Sequence, residues 1–173
     1  MKKTSSDFIA KGVVLSLILI VINLIGGFAH LQFESWFGWI STIVQFAAII
    51  IFCIQFGKQQ TDGVTFGKVF GYGFKVALVV SVVVAIYSII SVLFIFPEFT
   101  DLAIQHARAG VEAKGNLTED QIDQQMAITK KFFQPVPLAV IAFIATLFFG
   151  TIAALLGGAF AKKSEVDVFQ NNP

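Results

Sequence analysis

The sequence predicts an all-α polytopic membrane protein with four transmembrane helices and an outer helical hairpin between the third and the fourth, and three observations predict it. Apolar stretches at 12–30, 36–56, 76–96 and 137–160 each hold roughly the 20 residues that a helix needs to cross a bilayer. Hydrophobic residues make up 56% of the 173, phenylalanine alone contributes 20, and only 13% are charged; soluble domains carry about 25% charged residues. The runs are also continuous and apolar on all faces, so their backbone groups are satisfied within helices rather than in a closed barrel of alternating strands. A chain of this length has room for one bundle over 1–173 and for no separate soluble module.

The first run follows Lys2, Lys3 and Lys11 and contains Asn23. Basic residues ahead of an apolar stretch, with Gly27-Phe28-Ala29 after it, also fit a cleaved signal peptide, but the run is long for a signal core and an uncleaved span is expected. The second run opens on Trp36 and Trp39, aromatic anchors suited to the membrane–water interface, although Trp39 equally suits packing on a neighbouring helix. It also carries Gln45 and Cys53. Asn23 and Gln45 are amides set deep in hydrocarbon, where an unpaired polar group is costly. Each therefore needs a partner, either the other amide or Tyr87, Ser88 or Ser91 of the third run, in contacts worth about 1 kcal/mol. A substrate or proton path is the alternative, but such paths recruit ionisable side chains, and the interiors of the runs hold none.

Between the second and third runs, aromatics, glycines and lysines alternate from Thr65 to Lys75. This suits a short inner interfacial helix that buries Phe66, Phe70 and Phe74 while Lys68 and Lys75 meet anionic lipid. Gly67 and Gly71, four apart, would alternatively admit a close helix neighbour. In the third run Ala77, Ser81 and Ala85 form a small-residue ridge. The fourth carries two, Gly150, Ala154 and Gly158, and beside it Ala153, Gly157 and Ala161. The first of these is expected to pack against the third run, where small residues permit close backbone approach, and a contact between two copies is the alternative.

The connection over 97–136 changes to mixed charge with helical spacing. Pro97 suits the first position of a helix, Gly115 and Asn116 supply a stop, and Thr118 with Gln121 reads as a capping box. Ile122, Met126, Thr129 and Phe133 share a stripe, flanked by Ile128 and Phe132, and Phe99, Leu102, Ala103 and His106 offer a matching face. The two helices are expected to pack on each other above the bundle, with the headgroup surface and a partner groove as alternatives.

Charge sets the orientation. Lys2, Lys3, Lys11, Lys58, Lys68, Lys75, Lys162 and Lys163 all flank one side, where only Asp7, Asp62, Glu165 and Asp167 are acidic. The other side carries Arg108, Lys114, Lys130 and Lys131 against Glu34, Glu98, Asp101, Glu112, Glu119, Asp120 and Asp123. By the positive-inside rule both termini and the 58–75 loop are cytoplasmic, and the hairpin lies outside.

No nucleophile elbow, phosphate loop, dinucleotide fingerprint or zincin helix is present, so no enzyme activity, cofactor or metal is expected. Cys53, the single cysteine, reads as a packing residue. His30 and His106, both on the outer side, read as polar surface. The bilayer itself, and a membrane-protein partner or a second copy, are the expected partners, and nucleic acid is not.

The ordered blocks Lys11-Gly12-Val13, Val64 to Phe70 with Gly73-Phe74, Phe96-Pro97-Glu98-Phe99, Thr129-Lys130-Lys131-Phe132-Phe133, Phe149-Gly150-Thr151-Ile152 and Lys162-Lys163 resemble, over nearly the whole chain, an uncharacterised Bacteroidota membrane family, domain of unknown function 4199. The resemblance implies a four-span protein of a Gram-negative inner membrane with a periplasmic outer connection, and no activity or catalytic residue. On these grounds the expected function is a non-enzymatic binding or assembly partner in a membrane or envelope complex. A small transporter or channel component working as an oligomer is the alternative, set back by the absence of an inverted repeat, ion-binding carboxylates and broken helices. A lipid-modifying enzyme using Glu98 and Asp101 ranks last, since two acids at a helix start are explained by its positive end.

Overall fold

The computed structural model describes residues 3–60, 64–113, 115 and 117–161. Of the residues weighed above, Lys2, Asp62, Lys114, Asn116, Lys162, Lys163, Glu165, Asp167 and the side chain of Lys3 lie outside the described set.

The described residues form helices α1 (Lys3–Phe28), α2 (Ser35–Lys58), α3 (Phe66–Ile90), α4 (Phe99–Glu112), α5 (Glu119–Phe132) and α6 (Pro135–Phe160), with a π-helical turn over Ser91–Ile95 at the end of α3 and no strand. Four segments are long and apolar enough to cross a membrane: Asp7–Phe28, Trp36–Lys58, Phe66–Ile95 and Pro135–Phe160. The protein is built as a multi-pass membrane protein.

Helix ends follow local chemistry. The chain leaves α1 through a Schellman turn in which the Leu31 amide donates to Gly26 O at 2.8 Å and His30 takes φ 55°. Thr65 caps α3, its hydroxyl accepting from the Lys68 amide. Here the structure departs from the expected separate interfacial helix. Phe66 to Lys75 form the first turns of α3 itself, because no breaker separates Lys75 from Val76. The Phe66–Ile95 span holds 30 residues, about 45 Å at 1.5 Å per residue, which exceeds the ~30 Å hydrocarbon thickness. Its first turns therefore still reach the headgroups or force a tilt. Gly67 and Gly71 have open space where a Cβ would sit and meet no neighbour among the described residues.

Pro97 does not open α4 as expected. It lies before the N-cap Glu98, and it pushes Phe96 out of the helical region (φ −130°, ψ 65°). The Phe96 amide consequently reaches back five residues to Ser91 O at 2.7 Å, which closes the π turn. The last span starts earlier than its apolar run because Pro135 occupies the first turn of α6.

The packing has a central antiparallel pair, α3 against α6, with α1 on α3 and α2 seated against both α6 and α3. Small residues make this possible. A Cβ on Gly150 would stand 2.6 Å from Ala77 Cβ, one on Gly73 would stand 2.8 Å from Ala154 Cβ and 2.5 Å from Cys53 Sγ, and one on Gly158 would meet Phe66 at 3.0 Å. The α3 residues facing the first ridge of α6 are thus Ala77, Gly73 and Phe66, not the Ala77, Ser81 and Ala85 stretch, because Gly150 meets Ala77 and the antiparallel pairing then carries the later ridge residues toward the start of α3. The second ridge serves α2, with Gly157 against Cys53 and Ala161 against Gly57.

Helices α4 and α5 pack on each other. Ala103, Ile122 and Met126 are buried between them, whereas Ile128 and Phe132, expected beside the buried stripe, are exposed. Arg108 binds Glu112, Glu119 and Asp123 at 2.7, 3.2 and 3.0 Å, joining the two helices from outside. The Thr118 amide donates to Gln121 Oε1 at 3.0 Å, one arm of the capping box. Phe33 of the α1–α2 connection stacks on both Phe99 and His106 of α4, with ring centroids 5.7 and 4.4 Å apart. This holds α4 to the bundle.

Candidate functional site

The ends of the four spans nearest α4 and α5 do not close on one another. They surround a cavity of about 300 Å³, at the lower end of the ~300–1,000 Å³ common for small-molecule sites. Each span contributes a polar group: Asn23 from α1, Ser41, Thr42 and Gln45 from α2, Tyr87, Ser88 and Ser91 from the α3 end, and Thr146 from α6. Gln32 stands at the connection side, and Phe96, Phe99 and Phe149 supply aromatic wall. Among the described residues no acid, lysine, arginine or histidine lines it.

Gln45 is the floor. It is buried, and its Nε2 donates to the Thr146 carbonyl at 2.7 Å. That approach depends on Gly150, one turn further along α6, where a Cβ would lie 3.0 Å from the same amide nitrogen. Gly150 therefore has two roles: it lets α3 in below and Gln45 in above. Higher up, Tyr87 Oη donates to Asn23 Oδ1 at 2.9 Å, linking α3 to α1. Asn23 is exposed and lies five residues before the end of α1, about 7.5 Å along the helix. Ser88 Oγ returns its proton to Ala85 O at 2.8 Å, and Thr42 Oγ1 faces Gly38 O at 3.4 Å, both bonds within their own helices. No fully buried side-chain nitrogen or oxygen among the described residues lacks a partner, and neither Asn23 Nδ2 nor Gln45 Oε1 bonds to another described residue. Their free hydrogen-bonding capacity thus faces accessible space.

The π turn shapes the far wall. By inserting an extra residue into the last turn of α3, it brings Ser91, Val92 and Phe96 to the cavity together.

The opposite half of the bundle carries a polar cluster in which the groups bind one another. Tyr72 Oη donates to Asp7 Oδ2 at 2.6 Å, Lys11 Nζ pairs with the same oxygen at 3.2 Å, and Phe56 stacks on Tyr72 at 4.2 Å. The Lys11 ammonium also lies over the rings of Phe52 and Tyr72, at 5.4 and 5.5 Å. Cys53, fully buried, occupies the space left by Gly73 and Gly157.

Asn23, Gln45, Tyr87, Ser88 and Ser91 therefore meet in one place. Gln32, Ser41, Thr42 and Thr146 belong there too, and sequence reasoning did not select them. Ser41 and Thr42 stand one turn from Gln45 on α2, a spacing that could have been used. Glu98 and Asp101 are exposed and do not line the cavity. Phe66, Lys68, Phe70, Phe74 and Lys75 start α3 at the other end of the bundle, where the three phenylalanines form a ladder of rings spaced 6.1 Å apart. His30 closes the α1 turn and His106 stacks on Phe33. Among the described residues no three His, Cys, Asp or Glu side chains are grouped to hold a metal ion.

A family model described as "Protein of unknown function (DUF4199)" matches residues 11–163. No curated protein and no solved structure matches the chain.

Proposed function

The chain belongs to the DUF4199 family, and from that premise we propose that it is a non-enzymatic binding protein of a bacterial inner membrane. Both termini are cytoplasmic, the α4–α5 hairpin is periplasmic, and the protein holds a small guest for a membrane-protein partner or a second copy. The observation that carries this reading is the cavity. Four spans spend buried volume on neutral amides and hydroxyls, and at least two of those groups keep unused hydrogen-bonding capacity. A purely structural bundle would close such a space, because unfilled volume forfeits contacts. The lining pairs no nucleophile with a base and offers no ionised group to stabilise a developing charge, which favours binding over catalysis. The Gly73, Ala77, Cys53 and Gly157 seam blocks the far half, which favours holding over passage through one chain.

The test is native mass spectrometry of protein released from membranes in mild detergent. Wild type should carry a small-molecule adduct, and Ala142→Phe, which fills the cavity from α6, should lose it while keeping its melting temperature. A wild-type protein without any adduct would contradict the reading. For the orientation, Gln60→Cys and Gln124→Cys in a Cys53→Ala background should react with an impermeant thiol reagent from opposite sides of the membrane.

A further inference from the structure

We propose that the guest is a neutral, hydroxyl-bearing lipid, its headgroup in the polar cavity and one acyl chain in the groove between α2 and α6. This rests on the binding reading above and names its ligand class. The groove adjoins the cavity. It is lined by Trp39, Ile43, Phe46 and Ala47 with Thr42 and Phe149, presents no polar surface, and shares Thr42 and Phe149 with the cavity wall. Trp39 and Ile43 are 61% and 63% exposed on a membrane-spanning helix, so the groove opens to lipid. One continuous surface thus passes from amides and hydroxyls to pure hydrocarbon and aromatic rings. An amphiphile matches that sequence of surfaces, and neither a fully polar solute nor a hydrocarbon does.

Charge selects within the amphiphiles. With no acid or base among the described residues of the lining, a phosphate, carboxylate or ammonium headgroup would be desolvated without a counter-ion, which is the costliest form of burial. A glycerol-like head instead offers donors and acceptors to Asn23 Nδ2 and Gln45 Oε1, the groups left open by the Tyr87 and Thr146 contacts. Its hydroxyls also exchange roles freely with Ser41, Ser88 and Ser91.

The experiment uses Trp39 as reporter. The chain has two tryptophans, so Trp36→Phe leaves Trp39 alone. That variant is placed in phosphatidylcholine nanodiscs with bromine-labelled lipids, which quench indole on contact. Dibromostearoyl glycerol should half-quench Trp39 at a mole fraction about tenfold below that of dibromostearate at pH 9 or dibromostearoyl phosphatidylcholine, as expected when an anionic or zwitterionic head is desolvated without partners and a neutral one is not. Ala142→Phe should abolish the difference. Ser88→Ala, which removes a hydroxyl at nearly unchanged volume, should reduce it even if the bulkier variant fails to fold. Equal quenching by all three lipids, preference for a charged one, or indifference to both variants would overturn the proposal. If the mass-spectrometric adduct persists while the neutral lipid shows no preference, the ligand class is wrong and the binding reading stands. If neither signal is seen, both fall.

Discussion

Two halves of the same four helices meet at the level of Gly150 and are built on opposite rules. Toward the Asp7 end, Gly73, Ala77, Ala154, Gly157 and Cys53 bring backbones close, and the partly buried Asp7, Lys11 and Tyr72 pair with one another. Toward the hairpin, Asn23, Thr42, Gln45, Tyr87 and Thr146 hold the helices apart around open volume. Helix length, apolarity and topology are common to both. The lesson is that in a membrane, where hydrophobicity does not drive helix against helix, side-chain size and hydrogen bonding decide which part of a bundle closes.

The comparison breaks most visibly with one change made in both halves. Gly73→Leu inserts a side chain where even a Cβ lacks room and should destabilise by about 3 kcal/mol or more, despite the better helix propensity of leucine. Ala142→Leu adds bulk to the cavity wall and should change stability by less than about 0.5 kcal/mol or raise it. Thermal unfolding in one detergent compares them, and equal losses would abolish the distinction. Gly150→Leu sits on the boundary and should lose both the Ala77 packing and the Gln45 contact.

A smaller effect separates the floor from the mouth. Gln45→Leu removes the bond to the Thr146 carbonyl and should cost about 1 kcal/mol. Tyr87 and Asn23, in a more exposed pair, should show a coupling of about 0.6 kcal/mol in a double-mutant cycle of Tyr87→Phe and Asn23→Leu. Zero coupling would mean that the pair does not brace the open half. The smallest expected change lies at the end of α1. His30→Gly should raise stability by about 0.5 kcal/mol, since glycine relieves the left-handed strain but gives back part of it in chain entropy. His30→Val should lower it.

Span number, the amphipathic hairpin and the small-residue ridges were legible because each depends on composition or on helical spacing within one segment. The register of the ridges was not, since which glycine meets which alanine depends on the antiparallel pairing of α3 and α6. Asn23, Gln45, Tyr87, Ser88 and Ser91 stood out as polar residues in apolar runs, but their convergence on a cavity depends on how the helix ends splay. Ser41, Thr42 and Thr146 do not stand out because serines and threonines in membrane helices usually bond back to their own turn, as Thr42 does here, and Gln32 does not because it lies in a connection outside the apolar runs. The π turn arises from Pro97 acting on the preceding residue, and a hydropathy reading ends the helix at the same place without it. The Tyr72 to Asp7 bond joins residues 65 apart in sequence, beyond any local pattern.

The contrast between the halves is tested most directly by thiol reactivity, because nature supplies one of the two probes. Cys53 is fully buried in the closed half, and Ser88→Cys in a Cys53→Ala background puts a thiol on the cavity wall. Both proteins, purified into nanodiscs of phosphatidylcholine alone and freed of the neutral guest, are treated with a small water-soluble methanethiosulfonate. The thiol introduced at position 88 should react readily, and Cys53 should react only on unfolding. Equal reactivity of the two, or protection of both, would contradict a bundle closed at one end and open at the other.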